Sequence, residues 1–278
     1  MIIPGPFADG FDSEEYEECL NDAQEFFGLS REECVNLMIG PAVFKHEMEK
    51  NGLDWTYDEG QGAIWDLLSV KATVSSGVKE RSRETIVGNI LEKYLFKGSL
   101  IEDRSNKTII DYGCGIGREA LVAISKGAYT IGVDRGLTLE FANFYVNKHQ
   151  PTKTEDLWDP TGPVDFWKKI PKNIDAIMCF EFFEHHPFPL ELVKEFWKML
   201  KPDGLLICNC RSFNAHDTGH LESNFKYQNK FEAIIAEEGF DCIYYPHNPP
   251  NIWNIAVFSK KAKGSGSYNG YTTQNGEW

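Results

Sequence analysis

Beyond residue 107 the chain alternates short apolar segments with longer amphipathic ones, and this rhythm restricts the fold more than any other feature of the sequence. The apolar segments predict four strands, at Thr108–Asp111, Tyr129–Asp134, Ile174–Cys179 and Leu205–Cys210. The segments between and after them predict helices over about Arg118–Ser125, Leu137–Lys148, Leu190–Leu200 and Lys226–Glu238. Strands and helices in alternation build a mostly parallel sheet with helices on both faces. The sequence therefore predicts a doubly wound α/β fold.

The end of this series differs from its beginning. Cys242–Tyr245 and Trp253–Phe258 follow each other without an intervening helix, which predicts an antiparallel hairpin near the C-terminus. One further strand is weakly marked, because residues 149–173 are rich in Pro, Asp and Trp. Only Thr152–Leu157 fits a strand in that interval.

The flanking regions have a different character. Residues 1–100 predict a helical N-terminal cap or substrate region, with helices from Ser13 to Phe27, from Ser30 onward and over about Glu80–Phe96. Its aromatic residues have two interpretations, a lid over a substrate or an apolar seam against the sheet: Trp55, Tyr57 and Trp65. Residues 101–262 form the predicted α/β domain. Residues 263–278 are rich in Gly, Ser, Asn and Thr and predict a flexible tail.

Charge and cysteine content exclude several classes of function. The net charge is −14, from 42 acidic and 28 basic side chains, and such a surface repels phosphate backbones, so extended nucleic-acid binding is not expected. Seven scattered cysteines indicate reduced thiols in a cytoplasmic protein. We expect neither a signal peptide nor a membrane span, because no apolar run has the required length or flanks. The oligomeric state stays open.

The turn after the first strand reads Asp111-Tyr-Gly113-Cys-Gly115-Ile-Gly117. Glycines let the backbone turn sharply and approach a ligand, and the following helix offers unpaired N–H groups. Asp134 ends the next strand, 21 residues after Gly113, where a carboxylate can accept both ribose hydroxyls of an adenosine. The pair of features predicts a site for an adenosine-containing cofactor.

Two cofactor classes use this architecture, NAD and S-adenosylmethionine. The dinucleotide fingerprint is Gly-x-Gly-x-x-Gly, whereas the glycines here alternate and position 118 is Arg. Asp111 at the strand end would repel a pyrophosphate, but it suits the ammonium group of a methionine. The loop therefore favours S-adenosylmethionine.

The order of the motifs resembles class I S-adenosylmethionine-dependent methyltransferases over about residues 105–260. Asp111–Gly117 with Gly132-Val-Asp134 is similar to their first two motifs, and Asn173–His186 with Met199–Gly204 is similar to their fourth strand, next helix and following turn. The resemblance implies a seven-stranded sheet with a reversed final strand. It also implies a cofactor site, in which Asp156 or Leu157 contacts adenine and Phe180 lies near the adenosine. The full set of predicted cofactor residues is Asp111, Gly113, Cys114, Gly115, Gly117, Asp134, Arg135, Asp156, Leu157 and Phe180.

The spacing Glu181-x-x-Glu184-His185 brings three ligand side chains to one face if the segment is a helix. Two carboxylates and an imidazole suit a divalent ion such as Mg²⁺, which would lower the pKa of an acceptor hydroxyl. The pattern is similar to metal-dependent O-methyltransferases that act on quinone precursors and on RNA 3′ ends. That resemblance implies His220 as the next ligand, with His216 as the second choice.

The same residues have a plainer interpretation, in which they pack and cap the structure and no metal binds. In that case the candidates for a general base are His185, His186 and His216. The predicted function is methyl transfer to an oxygen or nitrogen of a small-molecule acceptor. Peptide or RNA methylation, an NAD-dependent oxidoreductase and a non-catalytic cofactor-binding protein remain as alternatives.

Overall fold

The fold is an α/β sandwich around one mixed sheet, seen in a computed structural model that describes residues 13–32, 83–134, 136–149, 173–209, 213, 220–245 and 254–261. The described strands are β1 (Thr108–Tyr112), β2 (Tyr129–Val133), β3 (Ile174–Cys179), β4 (Leu200–Asn209), β5 (Phe240–Tyr244) and β6 (Ile255–Lys260). The described helices are α1 (Ser13–Phe27), α2 (Arg83–Ile90), α3 (Ile101–Arg104), α4 (Arg118–Ser125), α5 (Gly136–His149), α6 (Pro189–Met199) and α7 (Phe231–Glu237).

The strands lie in the order β2-β1-β3-β4-β6-β5. β1, β2, β3 and β4 are parallel, and β6 runs antiparallel between β4 and β5. The predicted C-terminal antiparallel hairpin is therefore confirmed, as is the mostly parallel α/β sheet. Six strands belong to the described residues, and the candidate strand Thr152–Leu157 lies outside them.

The parallel register brings the carboxyl ends of β1, β2, β3 and β4 to one edge. Asp111 of β1 pairs with Gly132 of β2 and with Met178 of β3. Cys179 of β3 pairs with Cys208 of β4. The residues that follow these positions therefore share the carboxyl edge of the sheet, which is where open α/β sheets bind ligands.

Each face of the sheet is covered by apolar side chains. One layer contains large aromatic rings that are almost completely buried, and burying each such side chain stabilises the fold by roughly 1.5–3 kcal/mol: Phe183, Phe196, Phe213, Phe231 and Phe258. The opposite layer is mainly aliphatic: Val87, Leu91, Ile109, Met178, Ile207 and Val257. Both faces of β3 are buried throughout, which explains its unbroken apolar sequence.

Two predicted helices have different bounds in the structure. The helix predicted over Glu80–Phe96 is described from Arg83, and its last turn, Leu91–Phe96, is π-helical. The helix predicted over Lys226–Glu238 was too long. A 3₁₀ segment, Glu222–Tyr227, precedes α7, and Asn229 separates the two with a φ of 61° that no α-helix accommodates.

Helix α1 packs on α5, at the start of the chain. Phe26 and Phe27 contact Phe141 with ring-centroid distances of 5.0 and 5.3 Å. Asp22 is 1% exposed and pairs with His149 Nε2 at 2.6 Å. This helix is confirmed, whereas the aromatic segment around Trp55 lies outside the described residues, as do residues 263–278. Within the described residues we find no helix with the length and apolar character that a membrane crossing requires.

Candidate cofactor and acceptor site

The turn from β1 into α4 is built on three glycines with left-handed backbone conformations. Gly113, Gly115 and Gly117 have φ angles of 71°, 52° and 81°. A Cβ atom at Gly113 would lie 2.3 Å from Cδ2 of Phe182, so a larger residue is excluded by contact as well as by conformation. The sequence prediction of a tight glycine turn is confirmed.

The N–H groups of this turn are bonded within the protein. Gly113 and Cys114 both donate to the carbonyl oxygen of Val133, at 2.8 and 3.1 Å. Gly115 donates to Oδ2 of Asp134 at 2.8 Å. A phosphate group needs a concave set of unused N–H donors, and the N–H groups of Gly113, Cys114 and Gly115 are already bonded to β2 and to Asp134. The geometry therefore disfavours a pyrophosphate and fixes the Asp134 carboxylate beside the glycines.

Asp111 lies in β1, just before the glycine turn, and is 2% exposed. Its carboxylate accepts a hydrogen bond from the N–H of Ala120, and Oδ2 has no hydrogen-bond partner among the described residues. Burial, with the nearby Glu119 carboxylate, raises the pKa of the Asp111 carboxyl well above its ordinary value. A buried acceptor of this kind fits an ammonium group, which would supply both the missing hydrogen bond and the compensating charge.

Two ion pairs connect α2 to the first turn of α4 beside Asp111. Arg83 Nε donates to Glu119 Oε1 at 2.5 Å, and Arg118 pairs with Glu84. Burial works to raise the pKa of the Glu119 carboxyl, but Arg83 and Arg118 outweigh it and hold this pKa below its ordinary value. Glu119 is therefore an anion, and the surroundings of Asp111 contain charges of both signs.

Arg83 is a candidate site residue that the sequence did not predict. Its guanidinium carbon lies 5.7 Å from the ring centroid of Phe180, which follows β3 and is 6% exposed. Phe180 was predicted to lie near the adenosine, and the structure places both Phe180 and Asp111 close to Arg83. No local pattern marks Arg83, because it reaches the site from a helix 28 residues before Asp111.

The segment after β3 is not the α-helix on which the spacing Glu181-x-x-Glu184-His185 was interpreted. It is a short 3₁₀ turn, Phe183–His185, and Glu181 precedes it with a φ of 49°. Glu181 donates its N–H to Asn209 Oδ1 at 2.8 Å, and the Asn209 amide donates to Glu181 Oε1. The helical face expected for the three ligands is therefore wrong, since the left-handed residue turns the chain before the 3₁₀ segment begins.

Three of the four predicted metal ligands nevertheless come together. One ligand atom from each of Glu184, His185 and His220 lies within 4.8 Å of the others. Glu184 Oε1 and His220 Nε2 are 3.9 Å apart, and the rings of His185 and His220 have centroids 5.0 Å apart. Glu184 is buried, whereas His185 is exposed. Glu181 is not a member of this cluster.

A buried asparagine, which the sequence analysis also missed, holds the turn that carries the cluster. Asn224 is 2% exposed and donates its side-chain amide to the carbonyl oxygens of Phe183, Glu184 and His186, at 3.3, 3.1 and 2.8 Å. Leu221 donates its N–H to the same Glu184 carbonyl at 3.0 Å, so the segment that bears His220 is tied to the turn.

Of the two other histidine candidates, His186 and His216, the structure describes His186. His186 Nδ1 accepts a hydrogen bond from the N–H of Phe188 at 3.1 Å, and burial lowers the pKa of this imidazole below its ordinary value. It lies on the Phe182 side of the turn, with ring centroids 5.7 Å apart. The other predicted site residues lie outside the described part of the chain: Arg135, Asp156, Leu157 and His216.

Comparison with known proteins supports the same interpretation of the glycine turn. A family model described as a methyltransferase domain matches residues 82–248, which is more than half of the chain. The match contains every element of the cofactor side, from Arg83 through Asp134.

Similar curated proteins are ubiquinone biosynthesis O-methyltransferases. The protein from Neisseria meningitidis serogroup A is 28% identical over 131 residues, covering 46% of this chain and 54% of that protein. The one from Aliivibrio fischeri is 31% identical over 99 residues, covering 35% and 41%. The chain spans about half the length of the curated relatives it matches.

Among solved structures, the magnesium protoporphyrin IX methyltransferase of Synechocystis PCC 6803 with bound S-adenosylhomocysteine has a TM-score of 0.48 and 10% identity, covering 80% of this chain and 95% of that protein. So remote a likeness says nothing about the substrate. The family match, together with the glycine turn, Asp134 and the sheet order, leads to one conclusion. The chain belongs to the class I S-adenosylmethionine-dependent methyltransferase family.

Proposed function

We propose that the chain transfers the methyl group of S-adenosylmethionine to a hydroxyl oxygen of a small-molecule acceptor. The observation that carries this proposal is the shared sheet edge, where the acidic glycine turn packs against Phe182, two residues before Glu184 of the Glu-His-His cluster. The curated relatives bear the name of O-methyltransferases, which supports oxygen as the acceptor atom. The net charge of −14 supports a small molecule over RNA.

The cofactor side supplies binding and orientation. Asp134 accepts the ribose hydroxyls, and its bond from Gly115 keeps the carboxylate in place. Asp111 would accept hydrogen bonds from the ammonium group of the methionine portion, and Arg83 would pair with the carboxylate of the same portion. The sulfonium already carries a reactive methyl group, so the protein contributes mainly by aligning an oxygen behind it.

The residues of the acceptor side assist removal of the proton from the acceptor hydroxyl. The Glu184, His185 and His220 cluster fits a divalent ion, because ligand atoms at about 2.0–2.2 Å from one ion can be separated by the 3.9 Å seen between Glu184 and His220. One carboxylate and two imidazoles suit Mn²⁺ or Zn²⁺ better than Mg²⁺, the ion named from the sequence. When bound, such an ion lowers the pKa of the acceptor hydroxyl and orients it. Without an ion, the exposed His185 imidazole takes the proton as a general base.

The first test is ligand-induced stabilisation of chelator-treated protein. S-adenosylhomocysteine at about 100 times its dissociation constant should raise the free energy of unfolding by about 2.7 kcal/mol, and NAD at the same concentration should not. Stabilisation by NAD alone would overturn the cofactor assignment.

The second test addresses the acceptor and the metal. We expect formation of S-adenosylhomocysteine with 3,4-dihydroxybenzoate as the probe acceptor, stimulated by Mn²⁺. Glu184→Gln should remove the stimulation, whereas Glu195→Gln, an exposed carboxylate paired with Lys198 on α6, should keep it. Equal Mn²⁺ stimulation in both variants would overturn the metal site and leave the cofactor assignment intact.

A further inference from the structure

His186 lies in the turn after β3, and the protein bonds all but one of its polar atoms. Its backbone N–H donates to the carbonyl oxygen of Phe183 at 3.2 Å, and its own carbonyl oxygen accepts from the Asn224 amide at 2.8 Å. Its ring atom Nδ1 accepts from the N–H of Phe188 at 3.1 Å. The other ring nitrogen, Nε2, has no hydrogen-bond partner among the described residues and is not one of their buried unbonded atoms. Nε2 therefore reaches solvent.

The bond to Nδ1 fixes which ring nitrogen carries the proton. A backbone N–H can only donate, so the Nδ1 atom that accepts from Phe188 has no proton of its own. The neutral imidazole then carries its proton on Nε2, the nitrogen that reaches solvent. A histidine held in this state offers a hydrogen-bond donor and no free basic nitrogen. This argues against the role of general base that the sequence suggested for His186.

The imidazole of His186 lies beside the cofactor turn, with one aromatic ring between them. Phe182 packs so closely on Gly113 that a Cβ atom added there would collide with its ring. The imidazole packs in turn on Phe182, with ring centroids 5.7 Å apart. Its other ring neighbour is Phe188, which is 62% exposed and 6.5 Å away between centroids. A single polar donor among apolar rings is typical of sites that orient a small molecule.

The two neighbouring histidines have different surroundings. The ring of His185 lies near that of His220, in the cluster assigned to the methylated hydroxyl. The ring of His186 lies on Phe182 instead. The cluster and the Nε2–H group can therefore contact different parts of one acceptor.

The charge around His186 indicates which kind of oxygen its donor suits. The exposed carboxylate of Glu191 acts electrostatically on the imidazole, so a second anion beside Nε2 would be repelled. A carbonyl oxygen is neutral and can only accept, which makes it the matching partner for a group that can only donate.

We propose that His186 is a specificity-determining residue, whose Nε2–H donates a hydrogen bond to a carbonyl oxygen of the acceptor, away from the hydroxyl that is methylated. This inference rests on the proposed function, since it assumes that an acceptor hydroxyl reacts at the cluster. It adds a second point of recognition, which holds whether an ion or His185 assists removal of the proton.

The competing interpretation is purely structural. Phe188 is the residue before the first turn of α6, so the bond from its N–H to Nδ1 orders the entry into this helix. That role uses Nδ1 only, whereas the proposal uses Nε2. Substitutions can therefore separate the two.

Two variants each keep the function of one ring nitrogen. His186→Asn keeps an acceptor for the Phe188 N–H, because asparagine readily bonds the backbone two residues further on, but its side chain ends short of Nε2. His186→Gln has a longer side chain with an N–H donor, but it places no acceptor at Nδ1.

Two probe acceptors isolate the carbonyl oxygen. 3,4-Dihydroxybenzaldehyde carries one, and 4-methylcatechol has a similar shape without it. We expect His186→Asn to raise KM for the aldehyde about tenfold and to keep kcat within about twofold, because a bond to an unreactive oxygen is equally strong in the ground and transition states. KM for 4-methylcatechol should stay within about twofold of wild type, and His186→Gln should stay within about threefold with both probes. Calorimetry of each probe in the presence of S-adenosylhomocysteine should show the same pattern without turnover.

Other roles of His186 predict other patterns. A structural role predicts that His186→Asn resembles wild type with both probes, while His186→Gln loses melting temperature and activity with both. A general base predicts that both variants lose kcat by about 10²-fold or more with both probes. Either pattern would overturn the proposal.

Failure of the proposed function has a different signature. A wild-type chain that binds S-adenosylhomocysteine but neither binds nor methylates either probe would refute the acceptor chemistry and the role of His186 together. A wild-type chain that does not bind S-adenosylhomocysteine would refute the proposed function at the cofactor. Methylation of both probes with an unchanged KM in His186→Asn would refute the specificity role alone.

Discussion

The cofactor side and the acceptor side lie on the same sheet edge but are held together in different ways. On the cofactor side, the glycine turn and Asp134 lie in one continuous stretch of chain, and the N–H groups of Gly113 and Cys114 are bonded to the backbone of the neighbouring strand. The acceptor side is a turn after β3 that depends on the side chains of Asn209 and Asn224, 28 and about 40 residues away. Backbone bonds tolerate changes of side chain, whereas side-chain clamps do not. Substitutions should therefore alter acceptor chemistry without disturbing the cofactor turn.

The sharpest test of this separation is Asp134→Ala. The change removes the carboxylate proposed to accept two hydrogen bonds from the ribose hydroxyls, so we expect at least a 100-fold loss of affinity for S-adenosylhomocysteine, or about 3 kcal/mol. Calorimetry measures the affinity, and binding of Mn²⁺ to the acceptor side should be unchanged. Asp103→Ala, at an exposed position on α3, provides the control. A large loss of Mn²⁺ affinity in Asp134→Ala would show that the two sides are coupled.

The next test is Gly113→Ala, which introduces both backbone strain and a clash with Phe182. We expect the free energy of unfolding to fall by about 2–3 kcal/mol. Gly98→Ala separates the two causes, because Gly98 has a φ of 80° and a Cβ atom added there would meet nothing within 4 Å beyond its chain neighbours. That control should lose only about 1 kcal/mol in chemical denaturation. Equal losses in the two variants would mean that the contact with Phe182 is unimportant.

On the acceptor side, Asn224→Ala leaves three carbonyl oxygens without their side-chain donor. We expect a loss of about 2 kcal/mol in the free energy of unfolding and a roughly tenfold weaker response to Mn²⁺. Affinity for S-adenosylhomocysteine should not change. The comparison variant is Asn147→Ala, whose exposed amide donates only to Asn143 among the described residues, and it should stay within about 0.5 kcal/mol of wild type. A loss of cofactor affinity would contradict the proposed independence.

The smallest effect is expected from Asp111→Asn, which should raise the free energy of unfolding but lower the affinity for S-adenosylhomocysteine. Because the folded pKa of Asp111 lies above its ordinary value of 3.8, the stabilising protonated form is lost as the pH rises through the folded pKa. The variant should therefore gain about 1 kcal/mol over wild type at pH 8, with the difference shrinking toward pH 4. Its affinity for S-adenosylhomocysteine should fall about tenfold. Chemical denaturation at both pH values measures the stability, and calorimetry measures the affinity. A variant less stable than wild type at pH 8 would contradict an energetically unfavourable buried carboxylate at Asp111.

The contrast between the two sides also explains what the sequence could predict. The four parallel strands, the hairpin and the glycine turn were predictable, because their signals are contiguous runs and short spacings. Glu181 was assigned to a helical face that does not exist, since the conformation of that residue depends on Asn209 across the sheet. Arg83 and Asn224 carried no local signal for the same reason. The break at Asn229 in the predicted helix is a single residue in a left-handed conformation, which helical periodicity does not reveal.

The packing of α1 on α5 has a practical consequence for the design of truncated variants. The family match starts at residue 82, yet Phe141 is completely buried and makes ring contacts with Phe26 and Phe27. A variant truncated to the family boundaries would expose aromatic side chains of α5 that α1 covers, Phe141 among them. His149 would also lose its pairing with Asp22. We therefore expect that a truncated variant stays soluble only if it includes α1 as well as the region matched by the family model. Such a variant has to begin before Ser13.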